Sequence, residues 1–297
     1  MLLFALVAAV ALGSWTAAPG LNEARAEIAA TTLDDRIYVA GGFDGNGTDL
    51  SSFEMFEPAV GTWQLRAPLP QGLNHLGVAA LNGEVYVAGG SLGGTPTSGL
   101  FAYEPNLDAW TRKADLPLRR SAHVLVAAGG RLIVVGGVGD EPGVTLAYEP
   151  LSDTWERRAP MPTVREHLSA AVVDERVYVI GGRWFDQGNL ANVEVYDPAS
   201  DQWQALTPMP TRRGGLTAAT LNERIHVFGG EAFDPNRTFP QHEVYDPVVD
   251  GWTTAENLPT SRHGLGSAVL DGALYVIGGG TSAGLSTSTT VEAFRDE

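Results

Sequence analysis

A short apolar run closed by two glycines recurs six times in this chain of 297 residues, and nothing else in the sequence limits the fold as tightly. The clearest copy is Arg176-Val177-Tyr178-Val179-Ile180-Gly181-Gly182, and the others end in Gly41-Gly42, Gly89-Gly90, Gly136-Gly137, Gly229-Gly230 and Gly278-Gly279. Each run is rich in β-branched and aromatic residues and too short for a buried helix, so it reads as a strand covered on both faces. The glycine pair permits positive φ or close approach of another backbone. The copies stand 45 to 49 residues apart, which defines a structural repeat.

The repeat holds its register at four points. Seven residues before the first glycine stands a two-residue turn: Asp34-Asp35, Asn82-Gly83, Gly129-Gly130, Asp174-Glu175, Asn222-Glu223 or Asp271-Gly272. Such pairs tolerate positive φ and predict primed hairpin turns. Nine residues earlier stands Arg25, Leu73, Arg120, Arg165, Arg213 or Arg262, and ten before that Trp15, Trp63, Trp110, Trp155, Trp203 or Trp252. Seven residues before the last five tryptophans comes an aromatic, an acid and a proline, as in Tyr196-Asp197-Pro198. A repeat thus contains strand a, from the arginine position to the turn, strand b ending in Gly-Gly, strand c ending in the aromatic, and strand d with the tryptophan. Six four-stranded antiparallel units predict an all-β, six-bladed propeller. Phe294 has no tryptophan after it, so Trp15 is expected to bring strand d of the last blade from the N-terminus and close the ring.

These motifs closely resemble the kelch family. The resemblance rests on Ile37-Tyr38-Val39-Ala40-Gly41-Gly42 and its copies, on the spaced aromatics, and on links such as Pro208-Met209-Pro210. It covers residues 14–297 and departs in two places, Leu73 for arginine in blade two and Phe294 without the following acid and proline. Residues 1–13, with the uncharged run Leu2 to Leu12, read as a signal peptide or apolar leader, which points to a secreted or periplasmic protein, with a cytoplasmic one as the alternative. The run is too short to span a bilayer, and no integral span is expected.

Function should sit where length varies. Only the b–c connection changes length, so the face formed by the b–c and d–a connections is the expected binding face. Sequence places an arginine-lined mouth there, Arg25, Arg120, Arg165, Arg213 and Arg262, with loop residues Phe43, Asp44, Asn46, Arg183, Trp184, Phe185, Asp186, Glu231, Phe233, Asp234, Asn236 and Arg237. The arginines read either as a bidentate clamp for carboxylates or as partners of acids such as Glu27, Glu166 and Glu231. The resemblance implies the former use, since kelch adaptors hold acidic peptides with arginines at this position. Trp184 stands outside the register, and an aromatic between arginine and acid suits a sugar or peptide.

The expected function is non-catalytic binding of a protein segment, or of an acidic small molecule or sugar, by a monomer. The alternative is a carbohydrate-active enzyme of the N-acetylneuraminate epimerase type. The formal charge of −16 argues against nucleic acid as a partner. The absence of cysteine removes disulfides, thiolate metal sites and the cysteine-linked tyrosine of galactose oxidase. His75 and His167 fall two residues after the arginine position, His123 three after and His263 one after, so alternation along a strand sends them to different faces and neither a metal site nor a cofactor is expected. Asp44-Gly45-Asn46-Gly47-Thr48-Asp49 lacks the glycine and the acid of a calcium loop and reads as a tight turn.

Overall fold

The computed structural model describes residues 13–296, and the leader assigned to residues 1–13 lies, apart from Gly13, outside them. The chain forms six four-stranded antiparallel blades. In the order a, b, c, d, blade 1 is Ala29–Leu33, Arg36–Ala40, Phe53–Glu57 and Thr62–Leu65. Blade 2 is Gly77–Leu81, Glu84–Ala88, Leu100–Glu104 and Ala109–Arg112, and blade 3 Val124–Ala128, Arg131–Val135, Thr145–Glu149 and Thr154–Arg158. Blade 4 is Ser169–Val173, Arg176–Ile180, Val193–Asp197 and Gln202–Leu206, and blade 5 Gly214–Leu221, Arg224–Phe233, His242–Asp246 and Gly251–Thr254. Blade 6 takes Gly266–Leu270, Ala273–Ile277 and Val291–Arg295 from the C-terminal end and Ser14–Ala18 from the N-terminal end.

That last pairing is the expected closure. Ser14 to Ala18 run antiparallel to Arg295 to Val291, with Trp15 opposite Phe294. The same aromatic–tryptophan pair sits in register in every other blade, from Phe56 and Trp63 to Tyr245 and Trp252. All six a–b turns have positive φ at both central residues, as primed turns require. Strand b is almost fully buried, and the core lies between blades, where its residues pack against the neighbouring sheet.

Three sets of contacts tie each blade to the next. Near the mouth, the second glycine N–H donates to the carbonyl at the arginine position of the following blade: Gly42 to Leu73, Gly90 to Arg120, Gly137 to Arg165, Gly182 to Arg213, Gly230 to Arg262 and Gly279 to Arg25, at 2.8–3.0 Å. A Cβ on Gly42 would stand 2.6 Å from the Ala26 carbonyl oxygen, so the pair is glycine because another backbone occupies the space. Toward the outside, each of the six register tryptophans donates from Nε1–H to a carbonyl one repeat earlier, at 2.8–3.0 Å: Trp110 to Ala67, Trp155 to Ala114, Trp203 to Ala159, Trp252 to Thr207, Trp63 to Pro19 and Trp15 to Glu256.

The third set surrounds the channel. Two residues after the arginine position, Glu27, His75, Ala122, His167, Gly215 and Gly264 all have φ between +50° and +67°. This left-handed kink lifts each amide toward its neighbour and makes a closed hoop of six main-chain hydrogen bonds. Glu27 N donates to Gly264, His75 to Glu27, Ala122 to His75, His167 to Ala122, Gly215 to His167 and Gly264 to Gly215, at 2.7–3.0 Å. It also corrects the expected extent of strand a, which begins after the kink in every blade but the fifth.

Candidate functional site

The five register arginines do not line the mouth. Arg25, Arg120, Arg165, Arg213 and Arg262 are 0% exposed, because the kink turns them away from the axis and into the blades. Four meet a buried glutamate of their own blade: Arg25 with Glu54 at 2.8 Å, Arg165 with Glu194 at 2.5 Å, Arg213 with Glu243 at 2.6 Å and Arg262 with Glu292 at 2.8 Å. In blade 3 the glutamate position holds Leu146, and Arg120 turns to the carbonyls of Arg119, Asp140, Glu141 and Val144. Burial pushes the Arg120 guanidinium down to about 10. Blade 2, with Leu73, has Phe101 at that position. The glutamate two residues before the strand c aromatic thus accompanies the arginine in four of its five blades, a signal the sequence reading passed over.

What does face the axis is the hoop itself. Glu27, His75 and His167 come from blades 1, 2 and 4, and their side chains converge over the mouth, each between 10 and 20% exposed. His75 Nε2 lies 3.0 Å from His167 Nε2 and 3.4 Å from Glu27 Oε2, and His167 Nε2 lies 3.9 Å from the same oxygen. On the other side of the carboxylate, His263 Nε2 is 3.8 Å from Glu27 Oε1 and 3.5 Å from Glu231 Oε2. The expectation of scattered histidines is therefore corrected. Alternation along a strand sends His75 and His167 nowhere in particular, but both sit at the same offset from the arginine position, as Glu27 does, and equal offsets in different blades share one ring.

Each group is held from behind. The residue before the kink forms a β-bridge with the b–c loop, Asn74 with Ser91 and Glu166 with Arg183. Asn74 Oδ1 then meets His75 Nδ1, and Glu166 Oε2 meets His167 Nδ1. Arg183 spans two acids, donating from Nε to Glu166 and from Nη1 to Glu231, each at 2.7 Å. The Glu27 carboxylate lies against Gly264, where a Cβ would stand 2.5 Å from Oε1. Burial pushes Glu27 up to about 7, opposed by His263, and burial with Arg183 nearby pulls His75 down to about 4. His167 is driven well below the usual histidine range by the same desolvation.

Of the other expected contacts, Arg183 and Glu231 meet at the mouth, with the Arg183 guanidinium over the Phe233 ring at 5.1 Å. Trp184 is half-buried beside Phe185 on the small hairpin Arg183–Trp184/Gly188–Asn189, whose tip carries Phe185 and Asp186 into solvent. Arg237 is exposed over Phe239. Asp44 accepts from the amides of Asn46 and Thr48 at 2.8 Å, which is the expected tight turn. A recess of about 460 Å³ opens above the hoop, lined by Phe43, Asp49, Asn74, His75, Glu166, His167 and Leu285 among others. Among the described residues no helix is long and apolar enough to cross a membrane.

A family profile described as the KLHDC2/KLHL20/DRC7 Kelch-repeats domain matches residues 12–182 and 146–292, nearly the whole chain. The chain belongs to the kelch-repeat family. Among curated kelch relatives, beta-scruin of Limulus polyphemus is 38% identical over 76 residues, which is 26% of this chain and 8% of that protein. Human kelch-like protein 34 is 33% identical over 27% of the chain and 13% of its own length. The kelch chain thus matches only a small part of either relative. A solved structure described as the structure of YjhT superposes with a TM-score of 0.80 over 92% of this chain and 95% of that one, at 16% identity, a likeness of kelch fold.

Proposed function

We propose that this kelch propeller is a non-catalytic binding module whose b–c/d–a face takes a protein segment. One observation carries the reading: large apolar side chains stand exposed on variable loops around a polar recess. Leu92, Phe185, Phe233 and Leu285, from blades 2, 4, 5 and 6, are 45, 79, 57 and 59% exposed. Phe233 and Leu285 belong to one arc, since the Phe233 ring faces Gly284 and Leu285 faces Gly47. Apolar anchors around a partly desolvated centre are the usual make-up of a protein-binding surface.

The centre is acidic. Asp49 and Glu166 line the recess, Glu27 meets His75 and His167 at its floor, and Arg183 is engaged by Glu166 and Glu231. A segment with a lysine or arginine flanked by apolar side chains complements this face better than an acidic ligand does. The sugar-acid reading loses its main support with the burial of the register arginines.

A displayed peptide library panned on the protein tests the proposal. Binders should be cation-containing, lost with Phe185→Ser/Phe233→Ser, and retained with Leu151→Ser, an exposed leucine in a c–d turn on the opposite face. Binders lost only with Leu151→Ser would move the binding surface to that face, and enrichment of acidic peptides would reject the charge argument.

A further inference from the structure

The hydrogen-bond partners of His75 and His167 determine which ring nitrogens carry protons. Asp49, a carboxylate, accepts from Asn74 Nδ2, which turns the Asn74 amide so that its oxygen faces His75 Nδ1. Asp49 is itself held by the Gly93 amide at 2.6 Å. His75 Nδ1 must therefore be the protonated nitrogen, and Nε2 carries a bare lone pair. Glu166 accepts from Arg183 through one oxygen and meets His167 Nδ1 with the other, which gives His167 the same tautomer. Two lone pairs then face each other across 3.0 Å, with the Glu27 carboxylate oxygen 3.4 and 3.9 Å away. With Glu27 ionised, three acceptors converge and no donor lies among them.

We propose that Glu27, His75 and His167 form a binding site for a divalent first-row transition ion, with zinc as the best fit to two imidazoles and one carboxylate. Ligand atoms about 2.1 Å from such an ion stand about 3.0–3.4 Å apart at octahedral or tetrahedral angles. The observed separations of 3.0, 3.4 and 3.9 Å reach that range with a small shift of the Glu27 carboxylate. The outer layer has the form that metal-binding histidines use, with each Nδ1–H donated to a fixed oxygen, here of Asn74 and Glu166. Charge points the same way, because Glu27 touches both rings, Asp49 and Glu166 stand behind them, and Arg183 is already shared between Glu166 and Glu231. A second trio, Glu27, Glu231 and His263, is less suited, since Glu231 is already engaged by Arg183 and by the Gly284 amide. His75 and His167 line the open recess and Glu27 the channel beneath it, so three protein ligands leave coordination positions that the chain does not fill, the arrangement of exchangeable rather than closed structural sites. The site shares Glu27 and Glu166 with the acidic centre but uses no part of the apolar rim, so its failure is read from zinc binding and the failure of the peptide reading from the Phe185 and Phe233 variants.

Calorimetry on chelator-treated full-length protein at neutral pH, with zinc chloride as titrant, tests the assignment. One equivalent should bind, with magnesium failing to compete, and cobalt(II) in place of zinc should give visible ligand-field bands. Glu27→Gln, His75→Gln and His167→Gln should each weaken zinc binding at least ~10-fold, and Asn74→Ala ~10- to 100-fold. Asp186→Asn, an exposed acid on the same face, should leave it unchanged. If a variant fails to fold, ¹⁵N spectra of the wild-type histidines decide, since zinc should shift Nε2 and not Nδ1 of both rings. No saturable binding by the wild type, binding retained in all three ligand variants, or an Nε2 that is protonated and indifferent to zinc would each overturn the site and leave a shared proton between the rings.

Discussion

Arg213 and Arg120 occupy the same register position and satisfy their charge in different ways, one on a buried glutamate and one on main-chain carbonyls. The difference follows from a single residue two places before the strand c aromatic, Glu243 in one blade and Leu146 in the other. Desolvating an ion pair is expensive, and removing one partner leaves a charge buried alone. Glu243→Ala should therefore destabilise the protein by about 3–5 kcal/mol in urea denaturation. Arg213→Leu with Glu243→Phe, the combination blade 2 already has in Leu73 and Phe101, should recover most of that loss. A double variant no more stable than Glu243→Ala would mean the pair does more than fill its blade. These arginines also show what a sequence hides. Their type and spacing were legible, but their direction depended on the kink two residues later, where Glu27, His75, Ala122 and His167 adopt a conformation that side chains other than glycine's disfavour.

At the scale of elements, the turns and strands were legible because each was checked six times. The c–d turn adds a device found only in the structure. Tyr196 donates to Asp201 Oδ1 at 2.7 Å, and Asp201 Oδ1 also accepts from the Ala159 amide of the preceding repeat at 2.9 Å. Blade 1 has Phe56 for the tyrosine and Gly61 for the aspartate, so donor and acceptor are lost together. Asp201→Gly should cost about 1–2 kcal/mol, and Tyr196→Phe on that background should cost little more. In blade 5 a buried histidine pair replaces the usual strand b aromatic. His242 donates from Nδ1 to the Glu256 carbonyl and pairs through Nε2 with His226 Nδ1, while His226 Nε2 has no partner. Burial holds the pair at about 4 for His226 and about 3 for His242. Unfolded histidines titrate near 6.5, so below that pH the unfolded chain binds protons the native one refuses. The pair's contribution to stability should be flat above about pH 6.5 and fall steadily between about 6.5 and 4. His226→Tyr, the residue of blades 1, 2, 4 and 6, should give a shallower slope in denaturation midpoints taken across that range.

For the whole molecule, closure depends on five residues from one end of the described chain. Trp15 packs against Phe228, His242 and Phe294 and donates to Glu256, so it joins blade 6 to blade 5 as well as completing its own sheet. Trp15→Ala should cost about 3 kcal/mol in thermal or urea unfolding. Removing Ser14–Ala18 should bare the edge of Val291–Arg295, which a gel-filtration shift toward association would report. A permuted chain that carries Ser14–Ala18 after strand c of blade 6, joined by a tight turn, should stay folded and monodisperse. The ring as a whole was legible because the period spans the described chain. The cluster at its centre was not, because Glu27, His75 and His167 are 48 and 92 residues apart along the chain and meet only by going around it.

The main-chain hoop separates composition from mechanics at the place where ligands would arrive. Its six positions hold glutamate, two histidines, alanine and two glycines, yet each makes the same hydrogen bond to the same neighbour. Positions of identical support thus carry unlike side chains, Gly264 staying bare because Glu27 fills its space, and the chemistry at the axis varies while the bearing that carries it does not. Chemistry here is modular by blade.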